Sequence, residues 1–225
     1  MTYEIVLARS RTPRHAAGEN PDKRTAIMEG AAHIFMQKGF DAASVNEICT
    51  AAGVSKSTLY IYFSGKEDLF EKLIEERRER LFKTLHESLR GPDPFAQRLA
   101  AFGRSMAQIV CSAEVIGAQR IIIGIAERRP DLGARYYEAG AQKGQAVLLA
   151  ALQAEIAVGG LIIPDPDLAA YQFIELAAAG LWRRRLFGKE AAPPSAKVIA
   201  ATADSAVAMF LAVYGAKGLD PVGAA

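Results

Sequence analysis

The stretch Gly53 to Phe63, GVSKSTLYIYF, holds three hydroxyls, one lysine and two tyrosines within the eight residues from Ser55 to Tyr62. Hydroxyls and lysines meet phosphate oxygens, and polar or aromatic side chains reach base edges. No acidic residue occurs between Cys49 and Gly65, so no carboxylate here would repel a phosphate. The local preferences of the stretch disagree. Leu59 to Phe63 is aromatic and β-branched, which by propensity is strand. Ser55 to Thr58 reads as a turn or a helix start. Catalytic chemistry has little to work with elsewhere. The histidines His15, His33 and His86 are scattered, and no HExxH-type spacing or Cys/His cluster exists. Cys49 and Cys111 lie far apart in apolar surroundings and read as buried thiols of a reduced compartment. No cofactor or metal is expected.

The elements around the stretch make it part of a helix-turn-helix or of an ordinary helical pair with hydroxyl caps. Ser44-Val45-Asn46-Glu47 is a capping box that opens a short helix, and Gly53 stops it. Ser55 then caps a second helix of about two turns, ending near Tyr62. Two short helices joined by a glycine-containing turn describe a helix-turn-helix. Its second helix enters the major groove of DNA. Leu59 and Phe63, four apart, share the inward face. Lys56, Ser57, Thr58 and Tyr60 are then outward. Ser55 and the first-turn N–H groups suit a phosphate, and Tyr62 and Lys66 are placed for phosphates toward the end.

The chain has 225 residues, 51% of them hydrophobic, and a net charge of only +2. Residues 1–66 carry 8 Lys/Arg against 6 Asp/Glu, so a nucleic-acid surface must be a local patch. Alanine abundance and few β-branched runs favour helix. The N-terminus lacks a signal-peptide pattern. Apolar runs such as Ile121–Ala126 fall far below the ~18 residues of a membrane span, so a cytoplasmic protein without a membrane contact is expected.

Punctuation divides the chain into a flexible basic arm (1–19), a helix-turn-helix domain (20–66), a long connecting helix (67–90), a ligand-binding and dimerisation domain (91–216) and a flexible tail (217–225). Asn20-Pro21 starts the first helix, and Ser64-Gly65-Lys66-Glu67 reads as a second capping box at the start of the long one. Beyond Gly91-Pro92 the spacing predicts helices over about 95–111, 114–128, 131–157, 166–187 and 195–215. The fold class is all-α: an N-terminal three-helix unit, a long fourth helix and about five more.

From Thr25 to Ile74 the sequence resembles the N-terminal DNA-binding domain of the TetR family of bacterial transcriptional regulators. The resemblance rests on Ala31-Ala32, Phe35, Gly39-Phe40, Ser44-Val45, Ile48, Ala52-Gly53-Val54-Ser55, Leu59-Tyr60, Tyr62-Phe63, Lys66-Glu67 and Leu69, in the family's order and spacing. It implies a nine-helix homodimer in which Ser44, Lys56, Ser57, Tyr60, Tyr62 and Lys66 touch a double-stranded DNA operator. Ser57 and Tyr60 would read bases, and Ser44, Tyr62 and Lys66 would meet phosphates. Ile61 departs from the family's polar, basic or aromatic residue; it would touch a thymine methyl or contribute nothing.

The resemblance also implies a dimer surface in the last two long helices. The small and apolar residues Ala178, Leu181, Ser205, Met209 and Ala212 are the candidates, with Ala177 to Gly180 permitting close helix approach. It further implies a ligand cavity, for which the candidates are Phe102, Met106, Ile109, Arg120, Tyr136, Tyr137, Leu148 and Trp182. Arg120, at the margin of an apolar helix, needs a partner such as Glu175 or an acidic ligand. Arg183-Arg184-Arg185 reads as a solvated helix end. The expected function is a ligand-responsive repressor, bound as a homodimer to a pseudo-palindromic operator and released by a small apolar or amphipathic effector. The alternatives are an effector-independent architectural DNA-binding protein and, remotely, a helical enzyme.

Overall fold

The structure, a computed structural model, describes residues 20–216, apart from the side chains at 77, 78, 80 and 81. The expected basic arm (1–19) and tail (217–225) lie outside the described residues. The helices are α1 (Pro21–Ala42), α2 (Val45–Ala52), α3 (Lys56–Tyr62), α4 (Lys66–Ser88), α5 (Phe95–Cys111), α6 (Ala113–Ile125), α7 (Pro130–Tyr137), α8 (Lys143–Ala157), α9 (Pro166–Ala177), α10 (Trp182–Leu186) and α11 (Ala196–Tyr214). A π-helical turn, Glu138–Gln142, joins α7 to α8. Among the described residues there is no strand, and the all-α class holds. An isolated antiparallel bridge ties Leu161 to Gly215.

The first three helices begin where side chains satisfy their open N–H groups. Asn20 accepts from the N–H of Asp22 at 3.0 Å and of Lys23 at 3.1 Å. Ser44 and Glu47 form the complete reciprocal box before α2. Gly53 lies in the left-handed region at φ 65, where a side chain would be strained, and its N–H returns to the last carbonyls of α2. Ser55 accepts from the Thr58 N–H at 3.1 Å and starts α3. The second expected capping box does not form. Gly65 precedes α4 without a side-chain cap, and the Asp68 carboxylate instead accepts from the Ser64 N–H at 2.8 Å. A carboxylate two residues into the helix gains more from the helix N-terminus than a serine hydroxyl does.

One apolar cluster closes the N-terminal unit. Phe35, Phe40 and Phe70 pack with ring centroids 5.2 to 5.7 Å apart, and Ile48, Leu59 and Phe63 seal it beneath α2 and α3. The cluster does not stop at the expected boundary. It takes in Leu69 and Leu73 of α4, Ile122 and Ile125 of α6 and Leu132 of α7. The second cluster is centred on α5, α9 and α11, with an aromatic ladder from Phe102 through Phe173 and Phe210 to Tyr214.

Two expected helices are interrupted, which turns the expected nine into eleven among the described residues. The 131–157 segment passes through the π-helical turn. The 166–187 segment breaks at Ala178–Leu181, where Gly180 adopts φ 72. The small-residue run expected to permit close helix approach turns the chain into α10 here. Arg185, expected in solvent with its two neighbours, is only 5% exposed. Its guanidinium donates to the carbonyls of Cys111, Glu190 and Ala191 and pins the loop after α10. A cation on a short helix among apolar residues was drawn inward because three carbonyls elsewhere needed donors.

Candidate nucleic-acid interface and interior cavity

At 100° per residue, Lys56, Ser57, Tyr60 and Ile61 fall on one side of α3 and Thr58, Leu59 and Tyr62 on the other. Burial agrees. Leu59 is fully buried, while Tyr60 and Ile61 are 48% and 52% exposed beside exposed Lys56 and Ser57. Ile61 therefore belongs to the outward face together with the two expected base readers.

The other expected DNA contacts are held by the protein itself. The Ser55 hydroxyl lies 2.9 Å from that of Ser57 and 2.7 Å from that of Thr58, so the three hydroxyls form one chain at the start of α3. Thr58 is half-buried and faces the cap. Tyr62 is half-buried, and its hydroxyl accepts from the Asn20 N–H at 3.2 Å, fixing the start of α1. Its own proton is not used in that bond. Ser44 donates to the Glu47 carboxylate at 2.8 Å and accepts from the Glu47 N–H at 3.2 Å. A phosphate at Ser44 would have to compete with that carboxylate. Glu47 is held at a pKa of about 2, first by the Lys38 ammonium and then by the Ser44 hydroxyl and N–H.

Lys66 departs furthest from expectation. Its ammonium donates to the carbonyls of Phe40 at 2.8 Å, Asp41 at 3.3 Å and Ala43 at 3.0 Å, and lies 4.6 Å from the centre of the Phe40 ring. An ammonium has three donors, and all three serve the last turn of α1. Lys66 is a cap here, not a phosphate contact.

The larger unit contains a cavity of about 430 Å³ walled by α4 to α10. Of the expected lining residues, Met106, Ile109, Tyr136, Tyr137 and Trp182 border it. Phe102 and Leu148 do not; both are fully buried core. Arg120 does not either. It is exposed and donates to the carbonyls of Arg185 at 2.6 Å and Leu186 at 2.9 Å, capping α10. Its expected partner Glu175 pairs instead with Arg183 at 3.3 Å.

The residue before Arg120 is the one the sequence reading missed. Gln119 borders the cavity, and its buried Oε1 has no hydrogen-bond partner. The signal was present as a polar residue within the apolar run of α6, but the neighbouring charge drew attention away from it. Tyr137 and Tyr171 add a second polar point, with hydroxyls 3.4 Å apart; the Tyr137 bond, followed by burial, pushes the Tyr171 phenol pKa up.

Cavity and DNA-binding unit share material. Ile122 and Tyr136 border the cavity, and both also pack in the Phe35–Phe40–Phe70 cluster. Around them, ion pairs join the α6–α7 elbow to the N-terminal unit: Arg128 to Asp41, Arg129 to Glu67, and Arg135 to Glu71 at 2.5 Å. The Glu67 carboxyl is held below its ordinary range, chiefly by Arg129.

The expected dimer residues divide. Ser205, Met209 and Ala212 are exposed on α11, in one stripe with Ala201 and Ala208. Ala178 is 2% exposed and borders the cavity, so it faces inward; Leu181 is half-buried at the α9–α10 break.

Two family models match the chain. One, described as "Bacterial regulatory proteins, tetR family", covers residues 27–73. The other, described as "AefR-like transcriptional repressor, C-terminal domain", covers residues 97–216. The HTH-type transcriptional regulator YhgD of Bacillus subtilis, itself uncharacterised, is 25% identical over 159 residues, 69% of this chain and 80% of YhgD. A TetR-family regulator from Mesorhizobium loti superimposes with a TM-score of 0.78 at 28% identity, over 88% of this chain and all of that one. The flavonoid-responsive regulator FrrA superimposes at 0.74, also at 28% identity and with the same coverage.

Proposed function

The chain belongs to the TetR family of bacterial DNA-binding transcriptional regulators, and we propose that it is a repressor that holds a pseudo-palindromic operator as a homodimer and is released by a small effector. Regulation of transcription, not catalysis, is the business of its family. The observation that carries the reading is the sharing of Ile122 and Tyr136 between the cavity wall and the core beneath the helix-turn-helix.

In this reading Lys56, Ser57, Tyr60 and Ile61 of α3 face the major groove. The N–H groups at the start of α3 and the Tyr62 hydroxyl meet flanking phosphates. A molecule seated in the cavity presses on Ile122 and Tyr136, and these bear on Phe70 and the α4 segment that packs against α1. The Arg128, Arg129 and Arg135 ion pairs make the elbow and the N-terminal unit move together. Release requires that the effector bind the released conformer more tightly than the DNA-bound one; equal affinity for both would shift nothing. The size of the cavity sits within the range of small-molecule sites, which favours this reading over an effector-independent architectural role. FrrA, which has this architecture, is flavonoid-responsive.

Dimerisation through α9 and α11 is supported by the composition of α11. It is apolar over most of its surface, with a mean hydropathy of 1.6 over an 18-residue window. One side packs on α5 and α9, and the other exposes Ala201, Ala208, Met209 and Val213. A second copy of the same face would cover it about a two-fold axis.

The test is gel shift and footprinting on the DNA upstream of the protein's own gene. Wild type is expected to protect two half-sites about one helical turn apart or slightly more. Tyr60→Ala is expected to weaken binding by about tenfold or more, through lost base contact, with an unchanged melting temperature because Tyr60 is half exposed. Tight binding that survives Tyr60→Ala would remove α3 from the groove.

A further inference from the structure

The cavity wall carries a specific demand that shape alone does not. Gln119 Oε1 is buried without a partner, and a buried acceptor left unpaired costs free energy. Among the buried side-chain nitrogens and oxygens of the described residues, it alone lacks a partner, and such an atom at the edge of a cavity marks where a donor from outside belongs. The surfaces around it are aromatic: Phe82, Tyr136, Tyr137, Tyr171 and Trp182 border the same space. They suit ring faces and edges more than a flexible acyl chain. Among the described lining residues the one charge is the carboxylate of Glu175. Its partner Arg183 lies over the Trp182 ring at 4.8 Å. An anionic ligand would bring a like charge toward Glu175 without a described lining cation to receive it.

We propose that the effector is an uncharged hydroxylated aromatic molecule whose hydroxyl donates to Gln119 Oε1 while its ring packs among the tyrosines and Trp182. This rests on the reading of the cavity as the effector site and adds the chemistry of the molecule that fills it. Tyr137 and Tyr171 share one hydrogen bond, which leaves one of the two phenol protons for an oxygen elsewhere on the ligand. From the sequence, the partner of Arg120 is an internal carboxylate such as Glu175 or an acidic ligand. The structure turns Arg120 outward onto α10 and puts an acceptor, not a cation, at the wall.

The experiment uses three probes on one scaffold: 4-hydroxybiphenyl, biphenyl and biphenyl-4-carboxylate. Binding to the full chain without DNA is followed by the fluorescence of Trp182, the single tryptophan and itself part of the wall. Wild type is expected to bind 4-hydroxybiphenyl about tenfold more tightly than biphenyl, the worth of one buried hydrogen bond, and the carboxylate most weakly. In Gln119→Met, which keeps the length of the side chain and removes the acceptor, the phenol and the hydrocarbon are expected to bind alike. The unliganded melting temperature of that variant is expected to hold or rise, because an unpaired acceptor has gone. Gln119→Leu serves as the second variant should the first fail to fold.

A phenol preference that survives both substitutions overturns the proposal. So does tighter binding of the carboxylate, or no quenching by any of the three probes. A marked fall in the melting temperature of both variants also overturns it, since the amide would then be a structural group. These titrations contain no operator, so their failure leaves DNA binding untouched. A bound phenol that fails to release the operator overturns the effector reading instead.

Discussion

On the proposed function the N-terminal unit works from the outside and the larger unit from the inside, and their cores differ. Phe35, Phe40 and Phe70 pack ring against ring, with Phe70 also bordering an open groove between α4 and α7, and the polar groups of α2 and α3 point to solvent or into caps. Around Met106, Tyr137 and Trp182 the packing stops short and leaves about 430 Å³, bordered by an unpaired amide oxygen. A rigid unit can present Lys56, Ser57, Tyr60 and Ile61 at a fixed spacing only if its core does not yield. A unit that must accept a ligand has to keep room. The π-helical turn Glu138–Gln142 falls in the wall of that room, as π insertions often do at functional sites.

The sharpest way to break this contrast is to cut a large side chain from each region. Phe70 is 2% exposed and touches both other rings of the aromatic trio. Phe70→Ala is expected to cost about 3–5 kcal/mol, the range for a phenylalanine removed from a closed core. Trp182 is half-buried beside space that is already empty. Trp182→Ala is expected to cost only about 1–2 kcal/mol, from lost apolar contact without a new cavity in tight packing. Urea denaturation at matched protein concentration measures both. Equal losses would mean that the two cores are equally closed.

The same contrast explains what was legible in the sequence. The DNA-binding face is written locally: Ser44 with Glu47, Gly53, Ser55, and the Leu59–Phe63 pair all act within a few residues of one another. Order and spacing were therefore enough to place α2 and α3 and to override the strand preference of Leu59 to Phe63. The cavity is assembled from seven helices and a π-helical turn, and its lining depends on one-residue differences in angle. Arg120 and Gln119 are 100° apart on α6, and only Gln119 borders the cavity. Phe102 and Leu148 are as apolar as Ile109, and nothing in residue type separates a cavity wall from solid core. The positions of Arg185 and Lys66 are hidden from the sequence for a related reason. Their partners are carbonyls up to 74 and 26 residues away, and a carbonyl leaves no trace in the residue type.

The two lysines near α3 give the next test, because geometry assigns them opposite work. Lys66→Met removes a charged donor from three carbonyls at the end of α1, two of them in part-buried bonds. A loss of about 1.5–3 kcal/mol in stability is expected, in the range of hydrogen bonds from charged groups, with the salt dependence of operator binding unchanged. Lys56→Met, at an exposed site, is expected to leave stability alone. It should lower the slope of log K against log salt concentration by about 1, as loss of one phosphate contact does. A Lys66→Met protein that stays stable but loses salt slope would return Lys66 to the DNA.

The smallest expected effect concerns acid, and it separates the two units by pH instead of by substitution. Glu47 is held at a pKa of about 2 in the folded protein, below the 4.5 of an ordinary glutamate, with Lys38 the largest cause and Ser44 next. A carboxyl depressed on folding contributes stability above its unfolded value and loses it as pH falls through the folded one. The contribution of Glu47 is therefore full above roughly pH 5 and fades between there and about pH 2. Glu47→Gln keeps a side chain able to complete the capping box but has no charge to lose. Thermal melts of the two proteins are expected to diverge above that window and to converge as pH falls through it. Trp182, across the α6–α7 elbow in the cavity wall, has no part in the α2 cap. Its fluorescence in the folded baseline is expected to show no difference between the two proteins at any pH in the window. A Glu47-dependent change at Trp182 would mean that loosening α2 already reaches the cavity, and the closed unit would not be as rigid as its packing indicates.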